Sequence, residues 1–326
     1  MGQWCSTLEE VVRGKVLITG GLGYLGSNLS NFLINSGYQV VIGTSRLDAK
    51  IPSQLKKCSL IYTDFNKINS LIDACCNVDY VIHLASLNAQ QSQEDYELAI
   101  KVNALGAQNL IQASVKSKVK YFIYFSTAHV YGSPLIGIID EHKAPNPIHP
   151  YAITHRLAED FLLGSIKKSE IKGNIFRLSN SIGLPFSKDA NCWMLYVNDA
   201  CKQAVVDHQI VINANPDIER DFIPINVIGK ITEYFLSNQT IDDYPVFNVG
   251  SGISHSLLEV AEKIADRCGK LFGFCPKIVY SENDMSQDLK LDYKVDKLNK
   301  EMGYKADNNL NPSIDEVLKF CSTEFN

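Results

Sequence analysis

At about 150 residues per domain, a chain of 326 residues has room for roughly two domains or one large α/β unit. Hydrophobic residues make up 45% and charged residues 21%, the balance of an ordinary globular protein, which excludes disordered and collagen-like chains. Lysine and arginine number 31 against 36 acids, and a net charge of −5 gives no basic footprint for nucleic acid.

The N-terminus reads Met1-Gly2-Gln3-Trp4-Cys5-Ser6, which matches a short acylation pattern at Gly2 and Cys5. A frayed extension before the first strand is the simpler reading, and no charged-then-apolar signal peptide is present. No apolar run approaches the ~20 residues of a membrane span. The nine cysteines show no C-x2-C pair, and their odd count argues against a disulfide framework. A reducing cytoplasm and the absence of a metal site are the expectations.

From there the chain alternates. Lys15-Val16-Leu17-Ile18-Thr19 is a buried strand, followed by glycines and an amphipathic helix over 24–36. Further strands are predicted at 39–42, 60–62 and 80–84, then a long helix over about 94–116 and a strand at 121–125. Strand and helix in repetition mean parallel pairing with right-handed crossovers. The expected fold class is α/β, a doubly wound parallel sheet with a smaller mixed C-terminal substrate domain. The dinucleotide-binding part is expected over 1–180, with a strand returning from about 222–248, and the substrate part over 181–326. Loops are expected around 213–217 and 283–287.

Thr19-Gly20-Gly21-Leu22-Gly23-Tyr24-Leu25-Gly26 sits between the first strand and the first helix. Gly20 permits a tight turn, Gly23 lets backbone N–H groups approach a pyrophosphate, and Gly26 lets the helix pack on the sheet. The glycines are three apart, at 20, 23 and 26, and a plain turn before a helix is the alternative, but the strand before them and the helix after favour the phosphate loop of a dinucleotide site. After the second strand come Thr44, Ser45 and Arg46, with no acid until Asp48. Two hydroxyls and a guanidinium suit a ribose 2′-phosphate, so NADP is favoured over NAD. A solvated arginine on a loop is the alternative.

Further motifs follow in fixed order. They are Asp64-Phe65, His83-Leu84-Ala85-Ser86, Val102-Asn103, Ser126-Thr127-Ala128-His129-Val130-Tyr131-Gly132 and Tyr151. Arg177-Leu178-Ser179-Asn180, Arg220-Asp221-Phe222-Ile223 and Asn248-Val249-Gly250-Ser251-Gly252 continue the series. With the glycine loop, they make the chain resemble the extended short-chain dehydrogenase/reductase family of nucleotide-sugar epimerases, dehydratases and reductases over nearly its whole length. The resemblance implies that Gly20, Gly23, Tyr24, Leu25, Gly26, Thr44, Ser45, Arg46, Asp64, Phe65, Leu84, Ala85, Ser86 and Asn103 serve the cofactor, Asp64 by touching adenine. It implies that Thr127 and Tyr151 are catalytic, Tyr151 touching the cofactor as well, and that Ser86, His129, Asn180, Asn191 and Arg220 meet a nucleotide-diphosphate sugar. A homodimer through the helix near 94–116 and the helix of Tyr151 is implied as well.

Two departures stand out. The family usually has lysine four residues after the catalytic tyrosine, and here His155 occupies that place. Its spacing still puts it on the face of Tyr151, so it is a candidate for both catalysis and cofactor binding. It could act as an imidazolium or as a neutral hydrogen-bonding ring, or it could mark lost catalysis. Where the family's 4,6-dehydratases carry Asp-Glu after the threonine, this chain has Ala128 and His129, which disfavours dehydration. His129 could touch the sugar or be a satisfied polar residue under the sheet edge. Arg220 could hold phosphate or pair with a nearby acid. The leading expectation is an NADP(H)-dependent reductase of a nucleotide-linked keto-sugar with Tyr151 as proton donor. The alternatives are a nucleotide-sugar 4-epimerase with bound NAD(P), or a non-catalytic dinucleotide-binding protein.

Overall fold

The computed structural model describes residues 13–280, 289–303 and 309–325. The acylation-like terminus at Gly2 and Cys5 and the loop expected over 283–287 lie outside the described residues. The first half runs β1 (Lys15–Thr19), α1 (Tyr24–Asn35), β2 (Gln39–Thr44), β3 (Ser59–Tyr62), α2 (Ile68–Cys75) and β4 (Tyr80–His83). Next come α3 (Ala89–Glu94), α4 (Tyr96–Ala99), a π-helical turn (Ile100–Leu105), α5 (Gly106–Lys116), β5 (Tyr121–Thr127), β6 (Gly137–Ile139) and α6 (Pro150–Lys167). The second half holds β7 (Gly173–Leu178), β8 (Asn180–Ile182), α7 (Tyr196–Val206), β9 (Gln209–Ile212), β10 (Glu219–Pro224) and α8 (Ile225–Asn238). It closes with β11 (Val246–Val249), β12 (Ser254–Ser256), α9 (Leu257–Phe272), β13 (Lys277–Tyr280), β14 (Leu291–Tyr293), α10 (Asp296–Met302) and α11 (Asn311–Glu324).

One seven-stranded sheet in the order β11-β7-β5-β4-β1-β2-β3 organises the molecule, and every pairing in it is parallel. Side chains alternate across it. Val16, Ile18, Ile42, Ile123 and Phe176 pack on one face with α1 and α8. Leu17, Val41, Phe122, Tyr124 and Ile175 pack on the other with α2, α5 and α6. Burial on both faces is why these strands read as continuous apolar runs. Smaller sheets, β12-β10-β8, β13-β9 and β14-β6, complete the architecture. Around Cys201, Ile210, Phe222, Ile264 and Leu318 a third core forms between α7, α9 and α11.

The single helix expected over 94–116 is three pieces: α4, the π-helical turn and α5. The cause is Asn103. Its buried amide accepts from the Leu87 N–H at 2.7 Å and donates to Thr154 Oγ1 at 3.1 Å. A widened turn carries that amide inward, where two hydrogen bonds offset the lost helical geometry.

Candidate active site

The glycine loop is as tight as the sequence requires. Gly20 has φ +71°, and a Cβ there would stand 2.9 Å from the Ala85 nitrogen. At Gly26 a Cβ would lie 2.2 Å from the Gly20 carbonyl oxygen. Only glycine fits either place. Leu84 donates its N–H to the Thr19 oxygen at 3.2 Å, so the ends of β1 and β4 meet beneath the loop. Gly23 caps α1 without a side-chain hydrogen bond, which leaves the first-turn N–H groups directed at an incoming anion. Arg46 and Lys50 share a cleft of about 250 Å³ with Leu22, Gly23, Ser27 and Asp189, the one acid among its described lining residues.

The catalytic candidates converge at the carboxyl edge of β5. Thr127 ends that strand, and its Oγ1 accepts the His129 N–H at 3.2 Å, leaving the hydroxyl proton to donate elsewhere. Tyr151 is the second residue of α6. Pro150 opens the helix, and His149 Nδ1 caps it by accepting the Tyr151 N–H at 3.3 Å. Burial pushes the Tyr151 phenol up to about 12, while the neighbouring Thr127 hydroxyl pulls the other way.

Four residues on, His155 is 3% exposed, and burial pulls its imidazole down to about 3. At neutral pH it is uncharged. Its Nδ1 is hydrogen-bonded to the Tyr124 hydroxyl at 2.7 Å, and its Nε2 is buried with no partner. One further turn along the same face, Glu159 takes a bidentate contact from Arg177 at 3.0 and 2.7 Å. The Ser126 hydroxyl donates to it at 2.6 Å. Both members of this ion pair are fully buried, and together they fasten α6 to β5 and β7. Removing one partner would strand the other charge, at a cost of about 3–5 kcal/mol.

In front of Thr127 and Tyr151 opens a cavity of about 450 Å³, which His129, Asn180, Asn191 and Arg220 also line. Among its described lining residues Arg220 is the one permanently charged group, and none is a carboxylate. The expected alternative, a salt bridge, does not form among the described residues. Adjacent Asp221 turns inward and accepts from Ser251 N at 2.9 Å and Gly252 N at 2.7 Å. Burial strips Arg220 of water and lowers its pKa from the ordinary value. His129 is held below the ordinary imidazole value, first by burial and then by Arg220.

Several expected residues also make contacts within the fold. The Tyr24 ring leaves the loop, donating to the Gly183 carbonyl at 2.8 Å. Phe65 packs against His83 with centroids 5.6 Å apart, and Asp64 accepts from Asn66 N at 3.0 Å and pairs with Lys67. The Asn103 amide is spent within the fold, and Ser86 does not line the cavity, whereas Asn88 and Ala89 do. Lys50 in the cleft, Tyr196 in the cavity wall with Arg220, Tyr124 bonded to His155 and His149 capping the Tyr151 helix are additions to the residues expected from the sequence. Lys50 had a signal, a second cation four residues after Arg46.

Residues 16–250 match the NAD dependent epimerase/dehydratase family. The chain belongs to this family. It is thereby an enzyme of the NAD(P)-dependent oxidoreductase/epimerase kind, and its cofactor is a nicotinamide dinucleotide. A UDP-glucose 4-epimerase of Yersinia pestis is 27% identical over 292 residues, covering 80% of this chain and 86% of that protein. A putative UDP-glucose 4-epimerase of Methanocaldococcus jannaschii is 22% identical and covers 94% of this chain and 97% of its own. Among solved structures, MoeE5 in complex with UDP-glucuronic acid and NAD superposes with a TM-score of 0.77 at 25% identity, over 94% of this chain and 98% of that one. The glycine turn, the open N-terminus of α1 and the orphaned His155 Nε2 beside Tyr151 all fit such a cofactor.

Proposed function

We propose that this enzyme is an NADP(H)-dependent reductase of a nucleotide-linked keto-sugar. The observation that carries the proton-donor role is the setting of Tyr151. Its phenol is pushed up to about 12, and the neighbouring His155, held neutral, contributes no charge to bring it down. Such a phenol rests protonated at neutral pH. It is ready to give a proton to a ketone oxygen and poorly placed to take one from a sugar hydroxyl.

When bound, a reduced dinucleotide would supply the hydride for the ketone carbon. Thr127 orients the oxygen with its free hydroxyl proton, Tyr151 protonates that oxygen, and the phenol regains its proton from solvent. Arg46 and Lys50 beside Gly23 support NADP, since two cations outnumber the one acid in that cleft. Arg220, the one permanent charge among the described residues of the cavity, supports a diphosphate ligand, and Asn180 and Asn191 are hydrogen-bonding partners for it. The nucleotide sugars named for the Yersinia protein and for MoeE5 point the same way.

The test is stoichiometry. With a nucleotide-linked 4-keto-sugar, the purified enzyme is expected to oxidise one NADPH per molecule of product. Turnover of UDP-glucose to UDP-galactose without net NADPH consumption would overturn the reductase reading. It would establish the second one, a 4-epimerase with bound NAD(P), which the names of the two relatives favour.

A homodimer is part of the proposal. Tyr96 and Ile100, four residues apart on the segment that runs from α4 into the π-helical turn, are exposed, and Ile153 and Leu157, likewise four apart, are exposed on adjoining α6. A second copy presenting the same face would cover them. A reducing cytoplasm is proposed as the setting, supported by eight described cysteines that are all free thiols.

A further inference from the structure

The buried neighbours of His155 decide which of its nitrogens carries the proton. Tyr124 lies on β5, and its side chain faces α6. Its ring stacks on His155 with centroids 5.8 Å apart and an interplanar angle of 28°. On the other side it meets His83 at 5.6 Å and 30°, and His83 Nδ1 is itself bonded to Thr19 Oγ1 at 2.6 Å.

The Tyr124 hydroxyl has one hydrogen-bond partner among the described residues, His155 Nδ1 at 2.7 Å. Two arrangements can fill that contact. If the imidazole donated from Nδ1, the phenol proton would be buried with no acceptor, and Nε2 would be a bare lone pair with no donor. If the phenol donates, its proton is used and Nε2 carries the hydrogen. The second arrangement leaves one orphan, the first leaves two, and each buried orphan costs about 1–3 kcal/mol.

We propose that Tyr124 is a positioning residue that locks His155 in the Nε2–H form, so that the ring presents a neutral donor to a hydroxyl of the bound dinucleotide. This rests on the dinucleotide-dependent reading of the site. The fixed tautomer replaces a lysine ammonium with a donor that carries no charge, and it leaves Tyr151 without a cationic neighbour of its own. The groups facing His155 are Tyr124 from β5, His83 beyond it on β4, and Tyr151 on α6, its ring centroid 4.4 Å away. None is a carboxylate, so nothing there favours an imidazolium. Glu159 on the same helix is taken up by Arg177, Ser126 and Arg156.

The test is ¹⁵N-edited NMR of the imidazole nitrogens in full-length protein without ligand at pH 7, with His155→Gln used to assign the signals. One bare Nδ1 and one protonated Nε2 are expected. A protonated Nδ1, or a ring protonated at both nitrogens, overturns the lock whether or not the enzyme reading holds. In Tyr124→Phe the lock is gone and the two neutral tautomers are expected to exchange, with NADPH binding weakened roughly two- to tenfold, the worth of one hydrogen bond. Should that variant fail to fold, the wild-type spectrum alone decides. Adding NADP⁺ then separates the two layers. A shift of the Nε2–H signal supports the donor role. A locked tautomer that NADP⁺ leaves unmoved overturns the donor role and leaves the keto-sugar proposal to the stoichiometry test.

Discussion

His155 meets Tyr151 edge to face, ring centroids 4.4 Å apart, one turn along the same helix. The contact puts an uncharged ring where a charge would lower the phenol's pKa, and that sets the enzyme's acid–base poise. His155→Lys is the direct perturbation. A lysine ammonium there would stabilise the Tyr151 phenolate, and each unit of fall raises its fraction about tenfold. Oxidation of a nucleotide-sugar alcohol with NADP⁺ at pH 7 is expected to quicken by about tenfold or more, its alkaline limb moving to lower pH. An unchanged pH profile in initial-rate assays would show that His155 does not set this poise.

Tyr151→Phe removes the proton donor while keeping the ring that packs on His155. A fall in kcat of about 10²–10⁴ is expected, with the dissociation constant for NADPH changed little. Thr127→Val should lower kcat less, because it orients an oxygen without giving the proton. Stopped-flow absorbance of NADPH with a keto-sugar measures the first quantity and calorimetric titration the second. Loss of NADPH binding in Tyr151→Phe would mean that the phenol holds cofactor rather than transferring a proton.

Arg220→Met should raise KM for the nucleotide sugar at least about tenfold, since a charge-assisted phosphate contact is worth roughly 1.5–3 kcal/mol. NADPH affinity should stay put, as Arg46 and Lys50 lie in a separate cleft beside Gly23. Arg46→Ala should do the reverse, weakening NADPH about tenfold while leaving NADH unchanged. Paired titrations of both variants with both ligands separate the roles. If Arg46→Ala weakens NADH as much as NADPH, the 2′-phosphate assignment fails.

What could be read in the sequence was what local spacing controls. The glycine turn, the strand-end Thr127 and the helix-start Tyr151 each sit in a short segment whose geometry follows from neighbouring residues. The π-helical turn was hidden because the apolar pattern runs on through 94–116, and only a tertiary contact from Asn103 to Thr154, 51 residues away, interrupts the helix. His155 was legible as an oddity but not as a neutral ring. Its charge state depends on burial and on Tyr124, 31 residues earlier on a different element. Arg220 could be named from its motif, yet its freedom from Asp221 depends on Ser251 and Gly252 drawing that acid inward.

Acid should destabilise the fold through its two buried imidazoles. Burial holds both His83 and His155 down to about 3, against about 6.5 in the unfolded chain. Between those values the unfolded state binds protons that the native state refuses, so stability is present above about pH 6.5 and is lost as pH falls toward 3. The slope is roughly 1.4 kcal/mol per pH unit for each imidazole once the unfolded side chain is mostly protonated. Nearer pH 4, Glu141 and Asp221, raised by burial, bind protons in the native state and oppose the trend. The informative window is therefore pH 7.5 to 5.5. Urea unfolding midpoints should fall across it in the wild type, and by less in His155→Gln, which keeps the shares of His83 and of His129, also held below the ordinary imidazole value. A midpoint that stays flat in the wild type would mean that both rings take up protons inside the fold, and with them the neutral donor beside Tyr151 would be lost.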